Sequence, residues 1–174
     1  MPLSLEPPAD FASLRAMLQD LPGPDEAAME AAKARQAVLT KPAGSLGRLE
    51  ELAVWMAGWQ GVERPKLDQV QVLICAGNHG VAAQGVSAFP AEVTAQMVAN
   101  FEAGGAAINQ LARLAGGQLN VLPLALDQPT GDFTEGPAMT EAECMESFRA
   151  GFAAVRPDAD AVAVAVGCLV PGSL

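Results

Sequence analysis

The sequence predicts an α/β fold in which a helical subdomain precedes a parallel sheet with crossover helices. Residues 1–68 contain only patterns of helical period, whereas short apolar runs alternate with helical patterns from residue 69 onward. This alternation is typical of a parallel sheet whose strands are joined by right-handed crossovers. The strand runs are also almost continuously apolar, as expected for strands covered on both faces. We therefore expect two domains, 1–68 and 69–174.

Three helices are predicted in the first 68 residues. The first follows Asp10, a favourable N-cap, and its apolar residues recur at helical spacing. The second begins at the break formed by Pro24 and Asp25 and runs to about Leu39. A loop over residues 41–44 precedes the third helix. Its apolar face is expected at Leu46, Leu49, Leu52, Ala53 and Met56.

The first predicted strand, residues 69–77, becomes continuously apolar towards its end and stops at a glycine. A helix is expected to begin with Pro90 at its first position, where a missing N–H has no consequence, and to stop at Gly104. A further amphipathic helix ends at Gly116. The order strand, helix, helix is what a crossover between parallel strands requires.

The second predicted strand, residues 118–127, contains Pro123, which cannot donate to a neighbouring strand and favours an edge or irregular position. Thr140 and Glu143 then form a capping box at the start of an amphipathic helix. Residues 158–167 complete the pattern as a third, almost continuously apolar strand.

The composition excludes several classes of protein. Hydrophobic residues make up 51% and charged residues 17% of the 174 residues, which argues against a disordered chain. The formal net charge of −10 disfavours nucleic acid as a partner, because an acidic surface repels phosphate backbones. The sequence contains neither a signal-peptide pattern nor an apolar run long enough for a membrane span, so we expect no membrane partner.

The cysteines indicate the redox environment. Cys75, Cys144 and Cys168 are widely spaced and odd in number, which favours reduced thiols in a cytoplasmic protein. There is no CxxC pair, and one histidine does not readily build a zinc site with them, so no metal is expected. Cys75 lies in an apolar strand and Cys144 in a helix, where thiols behave as small hydrophobic groups.

Ligands bind parallel sheets at the carboxyl ends of the strands, where loops begin here at Gly77, Asp127 and Gly167. The first loop reads Gly-Asn-His-Gly and carries the only histidine of the chain. His79 could transfer a proton or donate a hydrogen bond, with Asn78 shaping the turn beside it. A capped turn whose histidine is tied to the backbone explains the same residues, and spacing alone favours this second interpretation.

Ser87 and Phe89 precede a predicted helix. Ser87 could contact a ligand while the ring of Phe89 covers a flat one. Alternatively, the serine caps the helix and the ring packs on it, which the residues alone favour. The loop over residues 127–140 poses a similar choice, since Asp127 and Asp132 are either acids and bases or solvated turn residues.

The segment KPAGSLGRLE, residues 41–50, contains glycines and cations near a helix start. It lacks the order of a phosphate-binding P-loop, because the lysine precedes the glycines and no strand leads into it. Lys41, Ser45 and Arg48 could still hold an anion at the helix N-terminus. A helix start with exposed charges is the simpler interpretation for each residue alone.

Four stretches together resemble one family. They read LTKPAGSLGRLEELA, AGNHGVAAQGVSAFPAEVTAQMVANF, GGAAINQLARLAGG and GPAMT. Their order and spacing are similar to those of the nicotinate-nucleotide–dimethylbenzimidazole phosphoribosyltransferases. The resemblance extends to about Gly167, and the first two stretches are long and specific.

The resemblance implies an activity. The family transfers the phosphoribosyl group of nicotinate mononucleotide to 5,6-dimethylbenzimidazole, which releases nicotinate and forms α-ribazole 5′-phosphate for the lower ligand of cobalamin. It also implies a Rossmann-like parallel sheet with a smaller helical domain, usually in a homodimer, and no metal or other cofactor. A carboxylate base fits this chemistry, because the benzimidazole nitrogen loses its proton while the glycosidic bond loosens.

The Gly-Asn-His-Gly turn and residues 87–97 match the family segment that lines the benzimidazole site, and the resemblance implies that they form a wall of it. The residues implied for this wall are Asn78, His79, Gly80, Ser87, Phe89 and Met97. In this role His79 shapes the wall, since the proton acceptor of the family is a glutamate elsewhere. The resemblance assigns no catalytic residue and no phosphate-binding residue to this sequence.

The end of the sequence departs from the family pattern. The family continues Gly-Glu-(Met/Leu)-Gly-x-x-Asn-Thr-Thr, a loop that contacts phosphate, whereas Cys168 stands here at the Glu position without the Asn-Thr-Thr. The chain is about half the usual family length, and the catalytic glutamate lies in the half not reached. We therefore expect an incomplete Rossmann-like domain that is weak or inactive alone and, through its exposed sheet edge, dimeric or larger.

Two alternatives remain from the sequence. A non-catalytic module would bind benzimidazole-like bases or associate with another chain. A small hydrolase or transferase using His79 ranks last, because the sequence has no G-x-S-x-G nucleophile motif.

Overall fold

The structure, a computed structural model, describes residues 6–167. The chain divides into two compact units. One unit is Leu18–Asp68, and the other combines the residues up to Met17 with those from Gln69 onward. The domain boundary expected between residues 68 and 69 stays a prediction.

Three helices occupy the first part of the chain: α1 (Phe11–Gln19), α2 (Glu26–Val38) and α3 (Arg48–Gln60). Each of the first two begins where the sequence predicts. Asp10 accepts a hydrogen bond from the N–H of Ser13 at 2.7 Å. Asp25 is the N-cap of α2 and accepts from the N–H of Ala28 at 3.0 Å.

Small residues form the contact between α2 and α3. Ala28 and Ala32 on α2 and Ala57 on α3 are buried, and a Cβ on Gly58 would lie only 2.7 Å from Cγ of Met29. The helices therefore approach through alanine and glycine. The leucines predicted to form the apolar face of α3, Leu46, Leu49 and Leu52, are exposed instead.

The sheet has three parallel strands in the order β2-β1-β3. They are β1 (Val70–Gly77), β2 (Gly117–Leu124) and β3 (Ala161–Gly167). The predicted parallel α/β fold is confirmed. Pro123 lies in β2, which among the described strands is an edge strand, and this agrees with the position that proline favours.

Helices α4 (Glu92–Glu102), α5 (Ala107–Leu114) and α6 (Glu141–Ala154) connect the strands. Helix α4 starts two residues after Pro90, which the sequence predicts at its first position. Helix α6 has the predicted capping box. None of the helices in residues 6–167 is long and apolar enough to cross a membrane.

The amino ends of the strands are joined by a buried glutamine. Gln71 in β1 is 1% exposed, and its Nε2 donates to Oδ1 of Asn120 at 3.0 Å and to the carbonyl oxygen of Ala154 at 2.9 Å. Its Oε1 accepts from the N–H of Arg156 at 2.9 Å. This side chain therefore ties β1 to β2 and to the segment that leads into β3.

The carboxyl ends of β1 and β2 lie side by side, because Gly77 pairs with Leu124. The loops that follow these two strands therefore start next to each other. In the order β2-β1-β3 the chain leaves β1 towards one side and later returns to its other side, and ligands bind open α/β sheets at such a change of direction.

Candidate functional site

The loops after β1 and β2 are joined by a short parallel bridge between His79 and Thr130. The N–H of Gly80 donates to the carbonyl oxygen of Thr130 at 2.9 Å, and the N–H of Thr130 donates to that of Asn78 at 3.2 Å. The sheet pairing of β1 and β2 thus resumes beyond the strand ends. This bridge holds the Gly-Asn-His-Gly turn in place.

Side chains of the turn reinforce this bridge. Nδ2 of Asn78 donates to the carbonyl oxygen of Leu126 at 2.7 Å. Nδ1 of His79 lies 3.3 Å from Oγ1 of Thr130. Both side chains are half-buried. The histidine is thus tied to a neighbouring loop through a hydroxyl, and not to a backbone carbonyl as the turn interpretation predicts.

Gly80 allows the two loops to meet. A Cβ at this position would lie 2.5 Å from the carbonyl oxygen of Thr130, 2.7 Å from the nitrogen of Asp132 and 2.8 Å from the carbonyl carbon of Gly131. All three are backbone atoms, which cannot move aside as a side chain can. A side chain here would separate the loops.

A small apolar cavity of about 50 Å³ lies between the turn and the start of α4. It is lined by Gly77, Asn78, His79, Val81, Ala82, Val86, Ser87, Phe89, Pro90, Ala91 and Thr94. A volume of this size holds a few water molecules and not a whole two-ring ligand.

Four of the six residues predicted for the wall lie together at this cavity: Asn78, His79, Ser87 and Phe89. Gly80 and Met97 do not line it, since Gly80 packs against the second loop and Met97 lies further along α4. The role of all six in binding stays a prediction.

The rim of the cavity is built by Ser87 and Phe89. Oγ of Ser87 donates to the carbonyl oxygen of Phe89 at 2.8 Å, which folds the chain tightly before α4. Phe89 is 54% exposed, so its ring is not buried against the helix. An exposed ring beside an apolar cavity is available to cover a flat ligand.

Several lining residues are not predicted by the sequence pattern. Thr94 is 5% exposed and lines the cavity from the first turn of α4. The sequence could have indicated Thr94, because it is a polar residue one helical turn after Pro90 and therefore on the same helix face. The other lining residues that the sequence did not predict are small or apolar. A sequence pattern does not distinguish such residues from ordinary core residues.

Asp132, in the second loop, forms hydrogen bonds that hold the loop to its surroundings. Asp132 accepts from Nε2 of Gln84 at 2.7 Å and from the N–H and hydroxyl of Thr134. The amide of Gln84 and then the two donors of Thr134 hold the pKa of Asp132 below its ordinary value. The carboxylate therefore stays ionised and links the second loop to the short 3₁₀ helix Gly80–Gln84.

The cations of the segment over residues 41–50 are paired. Nζ of Lys41 lies 2.7 Å from a carboxylate oxygen of Glu50, and Arg48 forms an ion pair with Glu51. Lys41, and with it the N–H of Leu46, lowers the pKa of Glu50. The positive charges of Lys41 and Arg48, which could have held an anion, are thus already compensated by carboxylates.

The described cysteines, Cys75 and Cys144, are free thiols. Burial raises the pKa of the Cys75 thiol, which keeps it protonated and unreactive. Cys168, expected at the position of a family glutamate, lies outside the described residues.

Comparison with known proteins identifies the family. A family model described as a phosphoribosyltransferase, DBI_PRT, matches residues 21–173. The chain belongs to this phosphoribosyltransferase family. The match covers both compact units, from the helical unit through the sheet.

Individual members of the family are closely similar. The nicotinate-nucleotide–dimethylbenzimidazole phosphoribosyltransferase of Ruegeria pomeroyi is 59% identical over 155 residues, which are 89% of this chain and 46% of that protein. The corresponding protein of Mesorhizobium japonicum is 60% identical over 149 residues, 86% of this chain and 44% of its own length. This phosphoribosyltransferase chain therefore spans about half the length of the curated relatives it matches.

A solved structure supports the fold of the phosphoribosyltransferase chain. The crystal structure of nicotinate-nucleotide–dimethylbenzimidazole phosphoribosyltransferase from Thermus thermophilus superposes with a TM-score of 0.75 at 37% identity. The superposition covers 82% of this chain and 49% of that structure. The resemblance stated from the sequence motifs is confirmed at the level of family and fold.

Proposed function

We propose that this chain forms part of the base-binding site for transfer of the phosphoribosyl group from nicotinate mononucleotide to 5,6-dimethylbenzimidazole. The product would be α-ribazole 5′-phosphate, the precursor of the cobalamin lower ligand. The observation that carries the proposal is the apolar cavity lined by Asn78, His79, Ser87 and Phe89 in a chain of this family.

The chemistry of the cavity suits a neutral, flat heterocycle. Most of its lining is aliphatic or aromatic, and its polar groups are an amide, an imidazole and two hydroxyls. Such a surface gains from excluding water around an apolar ring and offers few hydrogen bonds to orient it. We propose the six predicted wall residues, including Gly80 and Met97, as the elements that shape this surface.

The catalytic base is proposed to lie elsewhere. None of the residues that line the cavity in the described part of the chain carries a carboxylate. The resemblance implies a glutamate for the proton transfer, and a positioned general base contributes about 10²- to 10⁴-fold to a rate. We therefore expect the 174-residue chain to bind the base and to transfer phosphoribosyl weakly or not at all.

The activity is tested by incubating the purified chain with nicotinate mononucleotide and dimethylbenzimidazole and measuring nicotinate release. The Thermus thermophilus enzyme is the positive control. We expect a rate at least about 100-fold below that control. A rate within tenfold of the control would contradict the proposal that this chain lacks the base.

The binding role is tested by calorimetric titration of dimethylbenzimidazole into wild type, Phe89→Ala and Phe133→Ala. Phe133 is a matched control, because it is 67% exposed and does not line the cavity. Loss of aromatic stacking costs about 1 kcal/mol, so the Kd of Phe89→Ala should rise about fivefold. Equal Kd values for all three proteins would remove Phe89 from the site.

A second candidate function is a non-catalytic module that binds benzimidazole or associates with another chain. Large apolar side chains along one side of α3 are exposed, namely Leu49, Leu52, Trp55 and Trp59. Among the described strands, β3 is paired on one side only. We propose that these surfaces bring two copies together as a homodimer or larger assembly. Light scattering at high concentration checks this, and a monomer would refute it.

A further inference from the structure

Thr130 is the residue through which the second loop reaches the candidate site. Its backbone N–H and carbonyl group hold both sides of the Gly-Asn-His-Gly turn, and its hydroxyl contacts His79. Thr130 itself does not line the cavity, whereas His79 does. Any effect of Thr130 on a ligand must therefore act through the turn and the imidazole.

The hydroxyl of Thr130 lies 3.3 Å from two groups, Nδ1 of His79 and the carbonyl oxygen of Gly131. A hydroxyl has one hydrogen to donate, and Oγ1 of Thr130 donates to the carbonyl oxygen of Gly131 at 3.3 Å. Towards Nδ1 of His79, also at 3.3 Å, the hydroxyl oxygen then serves as acceptor. With the hydroxyl hydrogen directed to Gly131, it is Nδ1 of His79 that must supply the hydrogen of this contact, which is the Nδ1–H tautomer.

Within residues 6–167, Nε2 of His79 has no hydrogen-bond partner. In the Nδ1–H tautomer, Nε2 carries a lone pair and accepts hydrogen bonds. In this tautomer the imidazole of His79, which lines the cavity, offers an acceptor at Nε2 and not a mixture of donor and acceptor.

We propose that Thr130 is a positioning residue of the base-binding wall: its hydroxyl holds His79 as the Nδ1–H tautomer with Nε2 as an acceptor. This inference rests on the proposed function, since the ligand of the wall is the benzimidazole base. The backbone bridge and the side-chain contact are separable, because Thr130→Val keeps the shape and backbone of residue 130 and removes only the hydroxyl.

The tautomer is measured without any ligand. His79 is the only histidine in the chain, so its ¹⁵N-imidazole signals need no assignment. At about pH 8, above the range in which histidines usually titrate, wild type should show Nδ1 protonated. Thr130→Val should shift the signals towards a mixture of tautomers, and Thr130→Ser should restore them. Unchanged signals in Thr130→Val would overturn the inference.

Base affinity is measured on the same proteins by titration with dimethylbenzimidazole. We expect Thr130→Val to raise the Kd about three- to tenfold and Thr130→Ser to remain close to wild type. Thr134→Val is the matched control, because it removes a hydroxyl from the same loop that contacts Asp132 and not His79. A serine variant as weak as the valine variant, or a control as weak as Thr130→Val, would overturn the inference.

Different results would refute the proposed function and the inference about Thr130. If wild type does not bind dimethylbenzimidazole, the proposed function is refuted, while the NMR comparison still decides whether Thr130 sets the tautomer of His79. If wild type binds and Thr130→Val changes neither tautomer nor Kd, the proposed function stands and the inference about Thr130 is refuted.

Discussion

Replacing Gly80 with alanine tests whether the close contact between the two loops builds the site. The new Cβ would lie 2.5 Å from the carbonyl oxygen of Thr130, about 1 Å nearer than an ordinary van der Waals contact. Relief requires the loops to separate, since the opposing atoms are backbone. Overpacking of this kind costs about 1–3 kcal/mol, and the hydrogen bond from Gly80 to Thr130 is worth about 1 kcal/mol.

The expected loss of stability is therefore about 2–4 kcal/mol. Tryptophan fluorescence would not detect it directly, because Trp55 and Trp59 both lie on α3 in the helical unit and the chain has no tyrosine. Urea unfolding should be followed by far-UV circular dichroism and by the NMR signal of His79. We also expect at least a tenfold weaker affinity for dimethylbenzimidazole, because the cavity wall moves with the turn.

Gly136→Ala is the matched control for this experiment. Gly136 lies in the same second loop, and a Cβ there would meet nothing within 4 Å. If Gly80→Ala unfolds at the same urea concentration as this control and binds the base equally well, the steric argument is wrong.

Three further predictions concern stability. Gln71→Leu should lower the free energy of unfolding by about 1–3 kcal/mol, because three partly buried hydrogen bonds of this side chain are lost. Urea unfolding measures this, and an unchanged midpoint would contradict it. Wild type should exceed Asp132→Asn in Tm at neutral pH, because the pKa of Asp132 is lowered in the folded protein. That stabilisation is complete above the ordinary pKa of aspartate and is lost as the pH falls through the lower pKa of the folded protein. The Tm difference should therefore close below about pH 4. A Tm difference that widens in acid would refute this prediction. Thr140→Ala should cost about 1 kcal/mol by removing the cap of α6, whereas Thr140→Ser should cost little in the same thermal melts.

Local chemistry makes much of the fold predictable. Asp10 and Thr140 cap their helices as expected, because an N-cap depends on one side chain and a backbone N–H three residues away. The edge position of Pro123 follows in the same way from its missing N–H. Features that depend on one residue and its near neighbours along the chain are therefore predictable from the amino-acid sequence alone.

Packing between helices is not predictable from periodicity. The spacing of Leu46, Leu49 and Leu52 indicates an apolar face, but Ala57 and Gly58 carry the contact with α2. The helical period shows which residues lie on the same face of a helix, but it does not show which face packs against another helix. Small residues that permit close approach compete with leucines for that role.

The candidate site shows the same division between local and long-range information. The turn at Asn78 and His79 is recognisable from its residues, and the family resemblance indicates what the turn contributes to. Its connection to Thr130 depends on a pairing between loops 51 residues apart in sequence, which no local pattern encodes. For this reason the sequence directs attention to the aspartates of the second loop and not to its threonine.

The order of the strands has a consequence for biosynthesis. Strand β1 is central, yet its partners lie later in the chain: Val70 pairs with Gly117, 47 residues on, and with Ala161, 91 residues on. At about 5–20 residues per second, a ribosome needs about 5–20 s to add the second partner after β1. During that time an apolar strand is paired on one side at most. Strand β1, which leads into the Gly-Asn-His-Gly turn, is thus the first strand made and the last to complete its pairing. Nascent chains should depend most on chaperones in this interval.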